Sequence, residues 1–182
     1  MADEREFGWL ITWTCYGTWL PGDPRGHVSD TFRPDGSRVP KHNGPGTPYA
    51  AGDEYTYQRA RRRQRGPTVA LNRDQAVVVA EGLVSAANER AWSILRAAVM
   101  WNHVHVVIVD GPPDGRSVRR ALKGPTQARL SQHAGGPRRW WTRGGSDRYL
   151  PGERAIQSAV DYVARQHGIL AEITDMEVAR HA

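Results

Sequence analysis

The fold of this chain is decided by the stretch HVHVVIVD, residues 103–110. It is apolar on both faces apart from its histidines, which is typical of a central, buried β-strand. Residues 92–100 precede it with the pattern of a second strand, and the dipeptide WN at 101–102 lies at the turn between the two. The tripeptide GPP at 111–113 ends the hairpin. The stretch therefore predicts a mainly antiparallel sheet with residues 103–110 at its centre.

Two further elements are predicted before this hairpin. Residues 7–16 alternate large apolar side chains with others at period two, as in a strand. A helix begins at Asn72, where Gln75 stands three residues on as in a capping box, and it is expected to end near Arg90.

Downstream of the hairpin, the pattern predicts a second helix over 117–133, capped by Ser117 and interrupted by Gly124-Pro125. A fourth strand is expected over residues 139–142. The last clear helix spans 153–167, where apolar residues recur at helical spacing. The spacing of threonine and glutamate after residue 173 also allows a short tail helix.

The element order β-α-β-β-α-β-α predicts an α+β fold of the ferredoxin-like, split βαβ type. We expect a four-stranded, mainly antiparallel sheet with helices on one face and an added C-terminal helix. Residues 1–182 are predicted to form a single domain, with a Pro/Gly/Arg-rich insertion at about 21–71. The insertion carries an arginine cluster that either contacts phosphates or forms a solvated face. The cluster consists of Arg59, Arg61, Arg62, Arg63 and Arg65.

The composition of the chain excludes several classes of protein. The 182 residues include 25 basic and 19 acidic side chains, a formal charge of +6, which favours polyanionic partners and nucleic acid first. The single cysteine, Cys15, excludes an intramolecular disulfide framework. No apolar run approaches the roughly 20 residues of a membrane span. The polar, acidic start of the chain is unlike a secretory signal. We therefore expect a cytoplasmic protein with no membrane partner.

The candidate chemistry begins with His103 and His105, which are two apart on a strand and share one face. They are either core histidines bonded to backbone carbonyls or a pair that binds one metal ion. The cost of desolvating two buried imidazoles favours a functional role for the pair. Tyr162 and Gln166 are four apart and share a helix face. Each of these two is, by itself, an ordinary packing or solvated residue.

Together the two motifs resemble a known family. The string NHVHVV at 102–107 is similar to the His-hydrophobic-His motif of HUH endonucleases. The string YVARQ at 162–166 is similar to the Tyr-x-x-x-Gln signature of their single-tyrosine transposases, which include small insertion-sequence transposases and REP-associated tyrosine transposases. Residues 18–23 and 141–146 also resemble those proteins. The resemblance extends over most of residues 7–167, and the insertion is its main departure.

The resemblance implies a metal-dependent DNA transposase that cuts and rejoins single-stranded DNA bearing hairpin or repeat ends. His103, His105 and Gln166 would bind Mg²⁺ or Mn²⁺. Tyr162 would be the catalytic nucleophile on a C-terminal catalytic helix, and it would form a 5′-phosphotyrosine intermediate. The family includes homodimers and monomers, and the sequence leaves both open.

These residue types suit phosphodiester chemistry. Two neutral imidazoles and a neutral amide leave the full charge of the ion available to the substrate.

Basic side chains can neutralise phosphates along a bound strand. Of the neighbours Trp140 and Trp141, at most one is expected to stack on a base, because consecutive strand residues face opposite sides, and both packing inside is the alternative. The predicted DNA-binding residues are Arg116, Arg119, Arg120, Lys123, Arg129, Arg143 and Arg165.

Two other functions compete with this interpretation. A non-cleaving, nucleic-acid-binding ferredoxin-like protein would share the scaffold, since fold does not fix function. However, residues 103–109 lack the aromatic residues that stack RNA bases on such a sheet. A zinc hydrolase would need further Cys, Asp or Glu ligands at motif spacing, and the sequence shows none.

Overall fold

The computed structural model describes residues 7–26, 31–32, 36–39 and 51–181. The chain divides into two compact units, one of residues 1–15 and 70–182 and the other of residues 16–69. In chain order the elements are β1 (Phe7–Thr14), β2 (Thr31–Phe32), β3 (Arg38–Val39), α1 (Glu54–Arg62), α2 (Arg73–Asn88), β4 (Ser93–Met100), β5 (His103–Val109), α3 (Gly115–His133), β6 (Ser146–Pro151), α4 (Gly152–Ala164), β7 (Ile169–Thr174) and β8 (Glu177–Arg180).

The larger unit is built on an antiparallel sheet with the strand order β6-β1-β5-β4-β7-β8. The α+β class is as predicted, but the strand count is wrong, because within the described residues the sheet has six strands rather than four. The segments predicted as strands at 7–16, 92–100 and 103–110 form β1, β4 and β5. The two additional strands, β7 and β8, extend the sheet beyond β4.

Strand β5 is the buried centre of this sheet. Val104 and Val106 through Ile108 are fully buried, as the apolar pattern predicts. Helices α2 and α3 pack together on one face of the sheet, while α4 packs on the other face. The apolar stripe of α4, which includes Ile156 and Val163, meets Leu10 and Val107 in one core cluster. The sheet face that carries the odd-numbered β5 residues is therefore the face that α4 covers.

The predicted capping box of α2 is confirmed. The Asn72 side chain accepts a hydrogen bond from the backbone N–H of Gln75, and the Gln75 side chain accepts one from the backbone N–H of Asn72. These two bonds satisfy donors that a helix start otherwise leaves unpaired. The helix ends at Asn88, close to the predicted position.

The fourth strand is not at residues 139–142. It is β6, at Ser146–Pro151, and Trp141 makes only an isolated bridge with Cys15. The indole rings explain this difference, because Trp140 and Trp141 are 0% and 5% exposed. Trp140 donates its ring N–H to Ser131 Oγ at 3.1 Å, which ties the segment to α3. Consecutive residues of a strand face opposite sides of the sheet, so the burial of both indole rings does not fit an ordinary edge strand.

The predicted interruption of the second helix is also wrong. Helix α3 continues through Pro125, and its N-cap is Asp114 rather than Ser117. A proline inside a helix costs about 3 kcal/mol. The buried stripe of Leu122, Thr126 and Leu130 continues across it and holds both halves on the core. Tertiary packing outweighs the local cost.

The C-terminal segment forms a hairpin instead of a tail helix. Strand β7 pairs with β4 and then with β8, and the turn is Asp175-Met176. Both turn residues have positive φ, at 46° and 69°. This is the conformation that two-residue hairpin turns require, although glycine and asparagine usually supply it.

The smaller unit contains the β2–β3 pair and helix α1. Its described residues include the arginine cluster, whereas 27–30, 33–35 and 40–50 of the predicted insertion lie outside the described residues. Asp53 caps α1 by accepting a hydrogen bond from Thr56 N at 2.7 Å. Among the residues described, no helix is long and apolar enough to cross a membrane.

Candidate active site

The two motif histidines lie side by side on the sheet face that α4 covers. Their ring centroids are 4.8 Å apart and the ring planes are nearly perpendicular, at 88°. His105 is 7% exposed, while His103 is partly buried at the beginning of β5. The strand period of two produces this arrangement, because residues 103 and 105 project to the same side.

The Nδ1 atom of each imidazole has a nearby side-chain partner. Nδ1 of His103 lies 2.6 Å from Oδ1 of Asn102, and Nδ1 of His105 lies 2.7 Å from Oγ1 of Thr12. An amide oxygen only accepts hydrogen bonds, so Nδ1 of His103 carries the proton and Nε2 keeps its lone pair. The threonine hydroxyl can donate or accept, and it holds His105 in place in either case.

Both imidazoles are neutral at physiological pH. Burial lowers the pKa of His103 to about 4. Burial, together with the nearby His103, lowers the pKa of His105 to about 3. A free histidine titrates near 6.5. The pair therefore offers lone pairs rather than positive charge, which is the state in which histidine binds metal ions.

Tyr162 lies directly beside this pair. Its ring centroid is 5.5 Å from that of His105, at an interplanar angle of 79°. The neighbouring Val163 is fully buried in the core and fixes the helix, whereas the tyrosine side chain is 45% exposed. The phenol is thus accessible to a bound molecule while its ring rests on the imidazole. Residues 57 and 59 positions apart in the chain are thus brought together in one site.

Gln166 is placed differently from its predicted position on the last helix. Helix α4 ends at Ala164, with Arg165 at the C-cap, so the glutamine follows the helix. Its Nε2 atom donates to the backbone carbonyl of Tyr162 at 3.1 Å. The structure therefore places Gln166 against the backbone of the tyrosine, and it shows no hydrogen bond from this side chain to either imidazole.

The two histidines provide some, but not all, of the ligands that a divalent cation needs. Two neutral imidazole nitrogens whose other nitrogens are held by hydrogen bonds are typical metal ligands. Within the described ranges, however, no group of three or more His, Cys, Asp or Glu residues is arranged to hold an ion. An ion at the histidine pair would need oxygen ligands from an amide, water or phosphate.

The predicted DNA-binding residues fall into two groups. Three of them make contacts within the protein. Arg119 forms an ion pair with Asp147, Lys123 donates to the carbonyls of Thr142 and Gly144, and Arg129 donates to Ser85. The remaining four are exposed: Arg116, Arg120, Arg143 and Arg165. The five arginines of the cluster in the smaller unit are exposed as well.

A surface cavity of about 220 Å³ lies on the opposite flank of α4 from Tyr162. It is bordered by Arg96, Gln157 and Thr174, among others, and by none of the four motif residues. The candidate site is therefore an open surface beside the helix rather than the interior of this cavity.

Comparison with known proteins gives a distant structural likeness. No protein-family model matches the chain, and no curated protein matches it. One similar solved structure is that of a REP-associated tyrosine transposase bound to a REP hairpin. The sequence identity is 14% and the TM-score is 0.44. The match covers 87% of this chain and 65% of that chain, so this chain spans about two thirds of its length.

Thr12 and Asn102 are site residues that sequence reasoning missed. Thr12 comes from another strand, and only the β1–β5 register places it opposite His105. Asn102 stands next to His103 in the sequence, and its position in the motif string was the one available signal.

Proposed function

We propose that this protein is a metal-dependent single-tyrosine transposase of the HUH type, which cuts and rejoins single-stranded DNA with hairpin ends. The observation that carries the proposal is the contact between the Tyr162 ring and the His105 ring, with His103 adjacent. The ring of the proposed nucleophile thus lies against one of two adjacent neutral imidazoles. The choice of DNA hairpins as substrate comes from the resemblance of the two motifs.

Cleavage and rejoining would both proceed through the Tyr162 hydroxyl. The Tyr162 oxygen attacks a phosphorus of the strand and forms a tyrosine–phosphate ester. The bond from phosphorus to the 3′ oxygen breaks, that oxygen takes up a proton as a 3′ hydroxyl, and the phenol proton goes to solvent. Attack of a 3′ hydroxyl on the ester reverses these changes, so strands are rejoined without an external energy source.

The histidine pair would hold the divalent ion, which is expected to be Mg²⁺ or Mn²⁺. When bound, such an ion neutralises charge on a phosphate oxygen and orients the phosphorus. Asn102 and Thr12 keep the two rings in position through their Nδ1 atoms. Gln166 is the proposed third ligand, through its amide oxygen, while its Nε2 atom donates to the Tyr162 carbonyl.

The test is a covalent-trapping experiment. The protein is incubated with end-labelled, single-stranded hairpin DNA from the sequence flanking its gene, in Mg²⁺ or Mn²⁺, and separated on a denaturing gel. We expect a labelled band of protein size that a Tyr162→Phe variant does not give. Free cleavage products without any adduct, formed equally by the variant, would contradict the tyrosine mechanism.

A non-cleaving nucleic-acid-binding protein is the second candidate. The observation in its favour is that Gln166 follows the end of α4 and contacts the backbone, whereas His103 and His105 contact each other. The exposed arginines would serve either function. Retarded DNA on a native gel without an adduct on the denaturing gel, over a set of hairpins, would favour this candidate.

A further inference from the structure

Tyr149 is an exposed aromatic side chain held in a fixed orientation on β6. It is 51% exposed. Phe7 stacks against its ring at a centroid distance of 5.7 Å and an angle of 24°. Trp9, directly opposite in the β1–β6 register, contacts it edge-on at 5.4 Å. The ring is therefore packed against two other aromatic rings while half of the residue stays exposed, and little conformational freedom would be lost if a flat ligand stacked on it.

The support beneath Tyr149 is rigid. Trp9 is 9% exposed, and it donates its ring N–H to the carbonyl of Pro112 at 3.1 Å. The first turn of α3 rests on the same indole, since a Cβ added to Gly115 would lie 2.6 Å from Trp9 Cε3. Phe7, Trp9 and Tyr149 together are called the aromatic platform below.

A basic surface adjoins the aromatic platform. Arg119 pairs with Asp147 and Lys123 donates to Thr142 and Gly144, so this side of α3 faces the segment that leads into β6. Arg116 and Arg120 lie on the same side of α3 at helical spacing and are exposed, as is Arg143 in that segment. These five basic residues are accompanied by the carboxylates of Asp114 and Asp147. Positive charge thus predominates beside the exposed part of Tyr149.

We infer that the aromatic platform binds an unpaired nucleotide base, which stacks on Tyr149 while the adjoining arginines contact the flanking phosphates. Alternation of exposed aromatic and basic side chains is the chemistry that recognises single-stranded nucleic acid. Trp140 and Trp141 are too deeply buried for this role. The choice of single-stranded DNA as the occupant rests on the proposed function.

The sheet register connects this surface with the candidate active site. His105 pairs with Thr12, and Thr12 pairs with Ser146, three residues before Tyr149. From strand spacing and rise, the Cα atoms of His105 and Tyr149 are about 14 Å apart in the sheet. The two rings lie on opposite faces, so a bound strand would cross β6, the outermost strand at this end of the sheet among the described residues. Arg148 is exposed there on the face of the histidines.

The experiment measures binding in EDTA, where no cleavage occurs. The probe is an unstructured single-stranded DNA oligonucleotide with one 2-aminopurine, whose fluorescence falls when the base stacks. We expect Tyr149→Ala to weaken binding fivefold or more and to abolish the quenching, because a stacked base is lost. Tyr149→Phe keeps the ring and is the matched control, with near wild-type affinity and quenching. Circular dichroism verifies that both variants are folded.

Unchanged affinity and quenching in Tyr149→Ala would overturn the inference, and so would the absence of binding by the wild-type protein. The covalent-trapping gel keeps the two proposals apart. If the adduct forms and DNA binding does not depend on Tyr149, only the role of the aromatic platform is refuted. Binding that depends on Tyr149, without any adduct, supports the platform and refutes the cleavage mechanism.

Discussion

Oδ1 of Asn102 lies 2.6 Å from Nδ1 of His103. This contact between neighbours in the chain determines which ring nitrogen carries the proton, because the amide oxygen accepts but cannot donate. It leaves the Nε2 lone pair for a ligand. Thr12 holds the second ring at 2.7 Å, although its hydroxyl permits either tautomer. The candidate metal site thus depends on two uncharged residues outside the ligand set.

Replacing Asn102 with alanine is expected to mix the tautomers of His103 and to lower Mn²⁺ affinity about tenfold or more, as loss of such supporting hydrogen bonds typically does. Imidazole ¹⁵N chemical shifts of the metal-free protein report the tautomer, and calorimetry reports the affinity. Asn102→Asp retains an acceptor oxygen and should keep the single tautomer. Identical spectra for wild type and Asn102→Ala would show that the amide has no such role.

Tyr162→Phe is expected to eliminate the covalent adduct while DNA binding stays within a few fold, because only the exposed hydroxyl is removed. The ring contact with His105 at 5.5 Å is preserved by phenylalanine. Adduct yield on a denaturing gel and affinity by anisotropy are compared for both proteins. If the variant formed the adduct normally, the nucleophile would have to be another residue.

Removal of divalent ions is expected to stop cleavage, and Mn²⁺ should restore it. His105→Asn should show no restoration at the same ion concentration, because one of the two imidazoles is lost. His105 is 7% exposed, so thermal unfolding of the variant is measured in parallel to verify that it folds. Full cleavage by the wild-type protein after exhaustive chelation would exclude a metal role.

The stability of the metal-free protein is expected to fall as the pH decreases from about 6.5 towards 4. The folded protein holds the pKa of His103 at about 4 and that of His105 at about 3. The unfolded chain binds protons near pH 6.5. In the interval between, the unfolded state binds more protons, so the free energy of unfolding declines with decreasing pH.

This pH dependence is measured as the urea midpoint at pH 7.0 and 4.5 in EDTA. The double variant His103→Gln, His105→Gln lacks the two titrating groups, and its midpoint should change less between the two pH values. An equal change in the wild-type protein and the double variant would assign the pH dependence to other residues.

Arg119 and Arg120 are neighbours that should respond differently to replacement by glutamine. Arg119 is 13% exposed and paired with Asp147, so its loss is expected to cost roughly 1–3 kcal/mol of stability. Arg120 is exposed, so its loss should leave stability nearly unchanged. It should instead reduce the slope of log affinity against log salt by about 0.7, the value for one phosphate contact on a single strand. Urea unfolding and salt titrations of DNA binding separate the two effects, and the reverse assignment would contradict the structure.

Local sequence patterns predicted those elements whose stability is local or whose burial is complete. The Asn72–Gln75 capping box satisfies its donors within four residues, and it starts α2 as expected. The apolar run of β5 has one compatible position, the centre of the sheet. Where a long-range contact opposed the local preference, the prediction failed. Pro125 lies within α3 because Leu122 and Leu130 are both buried against the core. The local sequence around the proline does not reveal this burial.

The sequence by itself determined that His103 and His105 share a strand face and that a tyrosine lies on a later helix, because these relations depend only on the periods of strand and helix. Only the tertiary structure decided that Tyr162 rests on His105, that Thr12 holds the same ring, and that Arg119 is paired while Arg120 is exposed. These relations join segments more than 25 residues apart or depend on which side of a helix is covered. They are decided by strand register and helix packing, in which many weak contacts act together.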